Sequence, residues 1–154
     1  MKRLLLRKKI TVLAMLSLML PTGVQASDTF VVFEPAADTW QLSNPTIGYV
    51  ETEHSCVRLA AANLASDLEA VTGQKLSPLN SHSSPLIIIG TVGVNPQIDQ
   101  WVKQGELRDL KGKTEKYIIK TIGNLLVIAG SDKRGTVYGI YELSRQIGVS
   151  PWYY

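Results

Sequence analysis

Apolar positions along the chain repeat with two different periods. Short runs of β-branched, aliphatic and aromatic residues occur at 29–33 (TFVVF), more weakly at 47–51, at 86–90 (LIIIG) and at 125–129 (LLVIA). These predict strands, and the unbroken run at 86–90 suits a central strand covered on both faces. Residues 116–122 alternate, with Tyr117 and Ile119 on one side and Ile118 and Lys120 on the other. Gly123-Asn124 then allows a tight hairpin into the last strand. Two longer segments repeat at the helical period: Val57, Ala61, Leu64, Leu68 and Val71, then Thr136, Ile140, Leu143 and Ile147. They predict helices over 53–72 and 135–147. Gly73 supplies the C-cap of the first. Ser131 or Asp132 caps the second, and Gly148 and Pro151 end it. Gly135 and Gly139, a turn apart, let that helix approach its neighbour closely.

Between these elements the chain turns polar. Residues 34–45, which hold two prolines, read as a loop, as do 74–85 and the lysine-bearing stretch 105–114. Residues 98–104 make a short helix through Ile98, Trp101 and Val102. The sum is an α/β domain of the α+β sandwich type. It has a mixed sheet of about five strands with the two long helices on one face.

Residues 1–26 read as a secretory signal. Lys2, Arg3, Arg7, Lys8 and Lys9 precede an apolar core at 10–20, and Val24-Gln25-Ala26 offers small residues for cleavage. Pro21-Thr22-Gly23 interrupts the apolar run, which is shorter than the roughly 20 residues of a membrane span. The full chain carries 16 basic and 13 acidic residues, a net charge of +3. Without the five basic residues of the leader, 11 remain against 13 acids, so the mature domain stands at −2. The positive balance belongs to the export tag and gives no footing for nucleic-acid binding. The expected product is an exported protein, periplasmic or extracellular, with no membrane association after cleavage.

Candidate chemistry is sparse. Cys56 is the sole cysteine, so no intrachain disulfide forms; its expected place is the buried side of a helix. His54 and His82 have no cluster of carboxylates beside them, so neither a metal nor any cofactor is expected. Gly130 to Thr136 (GSDKRGT) follows a strand and opens a helix, but Thr136 stands where a phosphate loop needs lysine. The candidate substrate-binding residues are Ser131, Asp132, Lys133 and Arg134. Helix-start amides attract anions, and the two basic side chains add positive charge. The competing reading is structural, with Asp132 capping those amides itself and Lys133 and Arg134 solvated or pairing across a domain interface. No catalytic residue is assigned. Glycosidic cleavage needs two convergent carboxyl groups, and Asp67 and Glu69 face apart on their helix while Glu142 lies on an exposed side. The apolar stripes fill the core and leave no evident cleft for a branched sugar. Trp152-Tyr153-Tyr154 offers either a sugar platform or aromatic rings that bury against a following domain.

The run AGSDKRGTVYGIYELSRQIGVSPWYY resembles the end of the N-terminal domain of glycoside hydrolase family 115, the xylan α-1,2-glucuronidases. VRLAAANLASDLEAVTG (57–73), IIIGTVG (87–93) and LKGKTEKYIIKTIGN (110–124) agree in order. The looser pattern is similar to the N-terminal domains of family 67 α-glucuronidases and of β-hexosaminidases. The resemblance implies a leader at 1–26, an accessory domain at 27–150, and at 151–154 the start of a linker to a catalytic (β/α)8 barrel. That barrel is the implied partner. The implied parent enzyme removes (4-O-methyl)glucuronic acid from glucuronoxylan by an inverting route, using acids that lie in the barrel. A free-standing sugar- or uronate-binding module using Lys133, Arg134 and Trp152 stays open, as does a structural domain docking on a separate chain.

Overall fold

The computed structural model describes residues 4–7, 30–33, 39–42, 45–76 and 86–149. His82 and Trp152 to Tyr154 lie outside these residues. In chain order the elements are β1 (Leu4–Arg7), β2 (Val31–Val32), β3 (Thr39–Leu42), β4 (Thr46–Gly48), α1 (Ser55–Thr72), β5 (Leu86–Thr91), α2 (Pro96–Lys103), a 3₁₀ turn (Arg108–Leu110), β6 (Tyr117–Ile122), β7 (Leu125–Gly130) and α3 (Lys133–Gln146).

The main sheet has four strands in the order β4-β5-β7-β6, rather than about five. The inner ladders are parallel: Ile47 pairs with Ile87, and Ile88 with Val127. The β6–β7 hairpin is antiparallel, with Ile122 opposite Leu125 across the Gly123-Asn124 turn. The missing strand is explained by a second, three-stranded antiparallel sheet, β2-β1-β3. It takes up the run near residue 31 and also Thr39–Leu42, inside the stretch expected to be a loop. Its central strand, Leu4–Arg7, falls within the segment assigned to the leader.

Side-chain alternation divides β7 between two cores. Leu126 and Ile128 join Ile87, Ile89 and the buried stripe of α1 (Val57, Ala60, Ala61, Leu64, Leu68), together with Ile140, Leu143 and Ile147 of α3. The two long helices therefore share one face, as the periodicity predicts. Val127 and Ala129 meet Ile98 and Trp101 of α2 on the other. Leu107 and Leu110 close that smaller core, so the polar stretch 105–114 is no plain surface loop. Its leucines are too few to show a period, but the turn sets both against the sheet. Lys120 Nζ fastens it to β6 through Glu106, 2.7 Å away.

Local chemistry ends the elements where the sequence suggests. Gly73 adopts φ +68° and donates its amide to Glu69 O, closing α1. The Asn95 side chain accepts from Gln97 N at the start of α2, with Pro96 in the first turn. Gly135 and Gly139 let α3 lie directly on the β-hairpin. A Cβ on Gly135 would collide with the Lys116 carbonyl, and one on Gly139 would sit 3.0 Å from Ile128 Cγ2. Cys56 is exposed rather than buried, because it lies one residue before the apolar stripe begins at Val57.

Candidate functional site at the carboxyl ends of the parallel strands

Strands β4, β5 and β7 run parallel, so Gly48, Thr91 and Gly130 end at one edge of the sheet. Ligands of open α/β sheets settle beyond that edge, where successive helices leave toward opposite faces. Here α2 follows β5 onto one face and α3 follows β7 onto the other. All four candidate residues, Ser131 to Arg134, lie at that edge.

The structure spends most of their polar atoms internally. Ser131 N donates to Lys116 O at 2.8 Å, and Ser131 Oγ accepts from Lys116 N at 3.0 Å. Asp132 caps α3: its Oδ1 accepts from Gly135 N at 2.8 Å. Its Oδ2 accepts from Glu115 N at 2.7 Å, across to the loop that enters β6. The Glu115 and Gly135 amides hold the Asp132 carboxyl below the usual carboxylate range. Glu115 has a left-handed φ of 53°, uncommon for a residue with a side chain, and Asp132 holds the amide of that residue. Arg134 points outward, 2.9 Å from Glu115 Oε1 and 3.0 Å from the Tyr138 hydroxyl, with its guanidinium over the Tyr138 ring. Lys133 is exposed.

Behind this loop runs a buried polar chain that sequence reasoning missed. Glu53, Thr91 and Thr136 are each at most 2% exposed. Glu53 Oε2 accepts from Thr91 N at 3.0 Å, and Oε1 accepts from the Thr91 hydroxyl at 2.9 Å and from His54 N at 3.0 Å. The Thr136 hydroxyl stands 2.8 Å from that of Thr91 and 2.9 Å from the Asp132 carbonyl oxygen. Polar side chains of the protein thus link the start of α1, the end of β5 and the first turn of α3. Thr136, in the position a phosphate loop gives to lysine, is a buried link in this chain. The spacing of Glu53 just ahead of an apolar helix is its only trace in the sequence.

The domain carries a concavity on a face that the sequence did not single out. A groove of about 780 Å³ crosses the outer surface of α3, between α1 and the start of β6. Tyr117, Tyr138 and Tyr141 line it and are 36–44% exposed. Asn63 Nδ2 donates to the Tyr141 hydroxyl at 3.0 Å. Burial and the nearby Glu142 carboxylate raise the Tyr117 phenol above its ordinary value. Glu142 is half-buried rather than on a freely exposed side. Arg145 binds both of its oxygens, at 2.7 and 2.8 Å, and keeps its carboxyl below the ordinary range. Tyr138 and Tyr141, three apart on one helix, were the available signal.

Among the described residues no group of three or more His, Cys, Asp or Glu could hold a metal ion. No helix among them is long and apolar enough to cross a membrane. Glu142 and Asp67 line the same groove, and Arg145 already holds both oxygens of Glu142.

Comparison with known proteins agrees with this architecture. The chain is similar to the family GH115 4-O-methyl-α-glucuronidase BtGH115A, whose specificity is for decorated arabinogalactans. The two share 33% identity and a TM-score of 0.60, over 71% of this chain and 14% of that enzyme. It is also similar in fold to CpGH84D, at 15% identity and a TM-score of 0.53, over 71% of this chain and 19% of that one. The chain therefore spans well under a quarter of the length of these solved relatives. No match is found among curated proteins. Residues 35–143 match the family model described as the glycosyl hydrolase family 67 N-terminus. With most of its length inside that match and the mixed sheet and paired helices in place, this chain belongs to the glycosyl hydrolase family 67 N-terminal domain family.

Proposed function

We propose that this chain is the accessory N-terminal part of an exported glycoside hydrolase that removes (4-O-methyl)glucuronic acid side chains from glucuronoxylan, and that it is inactive alone. The observation that carries the reading is the 33% identity with a 4-O-methyl-α-glucuronidase. Two features support an accessory role. The carboxyl ends of the parallel strands are filled by Glu53, Thr91 and Thr136, and among the described residues Glu142, which shares a groove with Asp67, is already bound through both oxygens by Arg145. Catalysis then belongs to a (β/α)8 barrel that follows in the same enzyme. Residues 1–26 direct export to the periplasm or the medium. Lys133 and Arg134 lie at the surface of the domain, where a neighbouring domain could meet them.

A second substrate reading has its own support, because the relative's specificity is for decorated arabinogalactans rather than xylan. The deciding experiment reads the coding sequence past codon 154 and assays the full-length product on both polysaccharides. The expected result is an open frame encoding a barrel, with 4-O-methylglucuronic acid released from glucuronoxylan, while residues 27–154 alone release none. Release from arabinogalactan only would transfer the assignment to the second reading. A stop codon with no partner chain, or turnover by the isolated domain, would overturn the accessory role.

A further inference from the structure

The groove over α3 has the composition of a small-ligand site, and its volume of about 780 Å³ lies within the range such sites occupy. Three tyrosines from two separate elements supply broad, half-exposed rings. Polar groups ring them: the Asp67 carboxylate and Asn63 amide from α1, and Glu142 and Arg145 from α3. Ser144 lies on the groove wall, only 3% exposed, and its hydroxyl makes no hydrogen bond.

We propose that this groove binds a neutral pyranose segment of a glycan, with Tyr138 and Tyr141 as the stacking platform. The inference rests on the carbohydrate reading above and names a site for it. Flat rings beside hydrogen-bonding groups suit sugars, which present an apolar C–H face and an edge of hydroxyls; tyrosine joins both properties in one side chain. Sugar hydroxyls donate to the Asp67 carboxylate and to the Asn63 side-chain carbonyl oxygen. The charge excludes a uronate as the preferred occupant. Glu142 already binds the Arg145 guanidinium through both oxygens, and Arg134, over the Tyr138 ring, is paired with Glu115, which leaves the Asp67 carboxylate as the unbalanced charge. An anionic sugar would meet net repulsion there. The groove therefore selects the uncharged backbone of the polysaccharide rather than its glucuronic acid branch.

The test titrates the 154-residue chain with xylohexaose, with a galactohexaose and with sodium glucuronate, by calorimetry and by amide chemical shifts. Saturable binding of at least one neutral hexaose is expected, with shifts centred on Tyr138, Tyr141 and Ser144. Glucuronate should bind at least tenfold more weakly. Tyr138→Ala and Tyr141→Ala should each weaken the neutral probe by tenfold or more. Both rings are well exposed, so unchanged circular dichroism can verify folding. Asp67→Asn, which keeps the shape of the side chain, should narrow the gap between neutral and anionic probes. Tighter binding of glucuronate, shifts confined to Ser131–Arg134, or no saturable binding would each overturn the proposal. Concentration-dependent dimerisation through the tyrosines would overturn it too, giving the groove to a second copy. Failure here would leave the assay of the full-length enzyme unaffected, so the two readings fail separately.

Discussion

Helices α1 and α3 lie side by side and begin at the same edge of the sheet, each just after an acidic residue. Glu53 and Asp132 perform similar work: each carboxylate accepts from an amide beside its own helix and from one outside it. They differ in burial. Glu53 is 2% exposed and ties the end of β5, whereas Asp132 is half-exposed and ties the loop entering edge strand β6. Water can replace Asp132 as a partner and cannot replace Glu53. The same hydrogen-bonding device should therefore matter more at the inner strand than at the edge. Both helix starts also have a carboxylate of their own close by, which weakens the case for an external anion at either.

The sharpest way to break this comparison is Glu53→Ala. It strands the Thr91 amide, takes the acceptor from the His54 amide and leaves the Thr91 hydroxyl with Thr136 alone, and should cost about 3 kcal/mol in urea denaturation. Glu53→Gln keeps one carbonyl acceptor and should recover part of that. A cost no larger than that of losing Asp132 would mean that burial is not what separates the two acids. Gly135→Ala comes next. Its new Cβ must displace the Lys116 carbonyl, and overpacking of this kind costs about 2 kcal/mol, seen as a lowered denaturation midpoint.

Asp132→Ala removes a cap and a loop clamp, and should cost about 1 kcal/mol. The pH dependence has a definite sign. The folded carboxyl is depressed by the Glu115 and Gly135 amides, so its contribution is fully present above the unfolded value of about 3.9. It fades as pH falls from there through the lower folded value. The difference in stability between wild type and Asp132→Ala should therefore shrink below about pH 4. A difference that stays constant from pH 7 to about pH 3 would show that the carboxylate itself contributes little.

These acids also mark what could be read from sequence. Asp132 was legible because its cap partner Gly135 is three residues away, and local spacing encodes local bonds. The α1 and α3 stripes were legible because burial on one face imposes a period; Val57, Leu64, Ile140 and Leu143 are all fully buried. Glu53 was not, since its partner Thr91 lies 38 residues on and nothing local distinguishes it from a solvated acid. Leu107 and Leu110 were lost in a polar stretch for the same reason, their contacts being with β7 and α2. The tyrosine groove needed β6 and α3 to be brought together, which periodicity within either element does not specify.

The smallest expected effect concerns Lys133 and Arg134, the basic pair that first suggested a uronate site. Arg134 meets Glu115 at 2.9 Å, but both side chains are about half exposed or more, so solvent screens the pair. Lys133 is exposed beside it. Replacing both with alanine should leave the melting temperature within about 2 °C of wild type, because surface charges of this kind rarely matter more. The Asp132 clamp survives the change, since its bonds run to the backbone of Glu115 and Gly135 and not to either basic side chain. The same double variant tests the anion reading independently of stability. If helix-start amides and two cations form a uronate site, glucuronate should bind the wild type saturably and lose that binding in the variant. With Asp132 already on the Gly135 amide, an incoming carboxylate must displace a negative charge of the protein or sit beside it. The expected outcome is therefore the same weak, unsaturated response to glucuronate from both proteins.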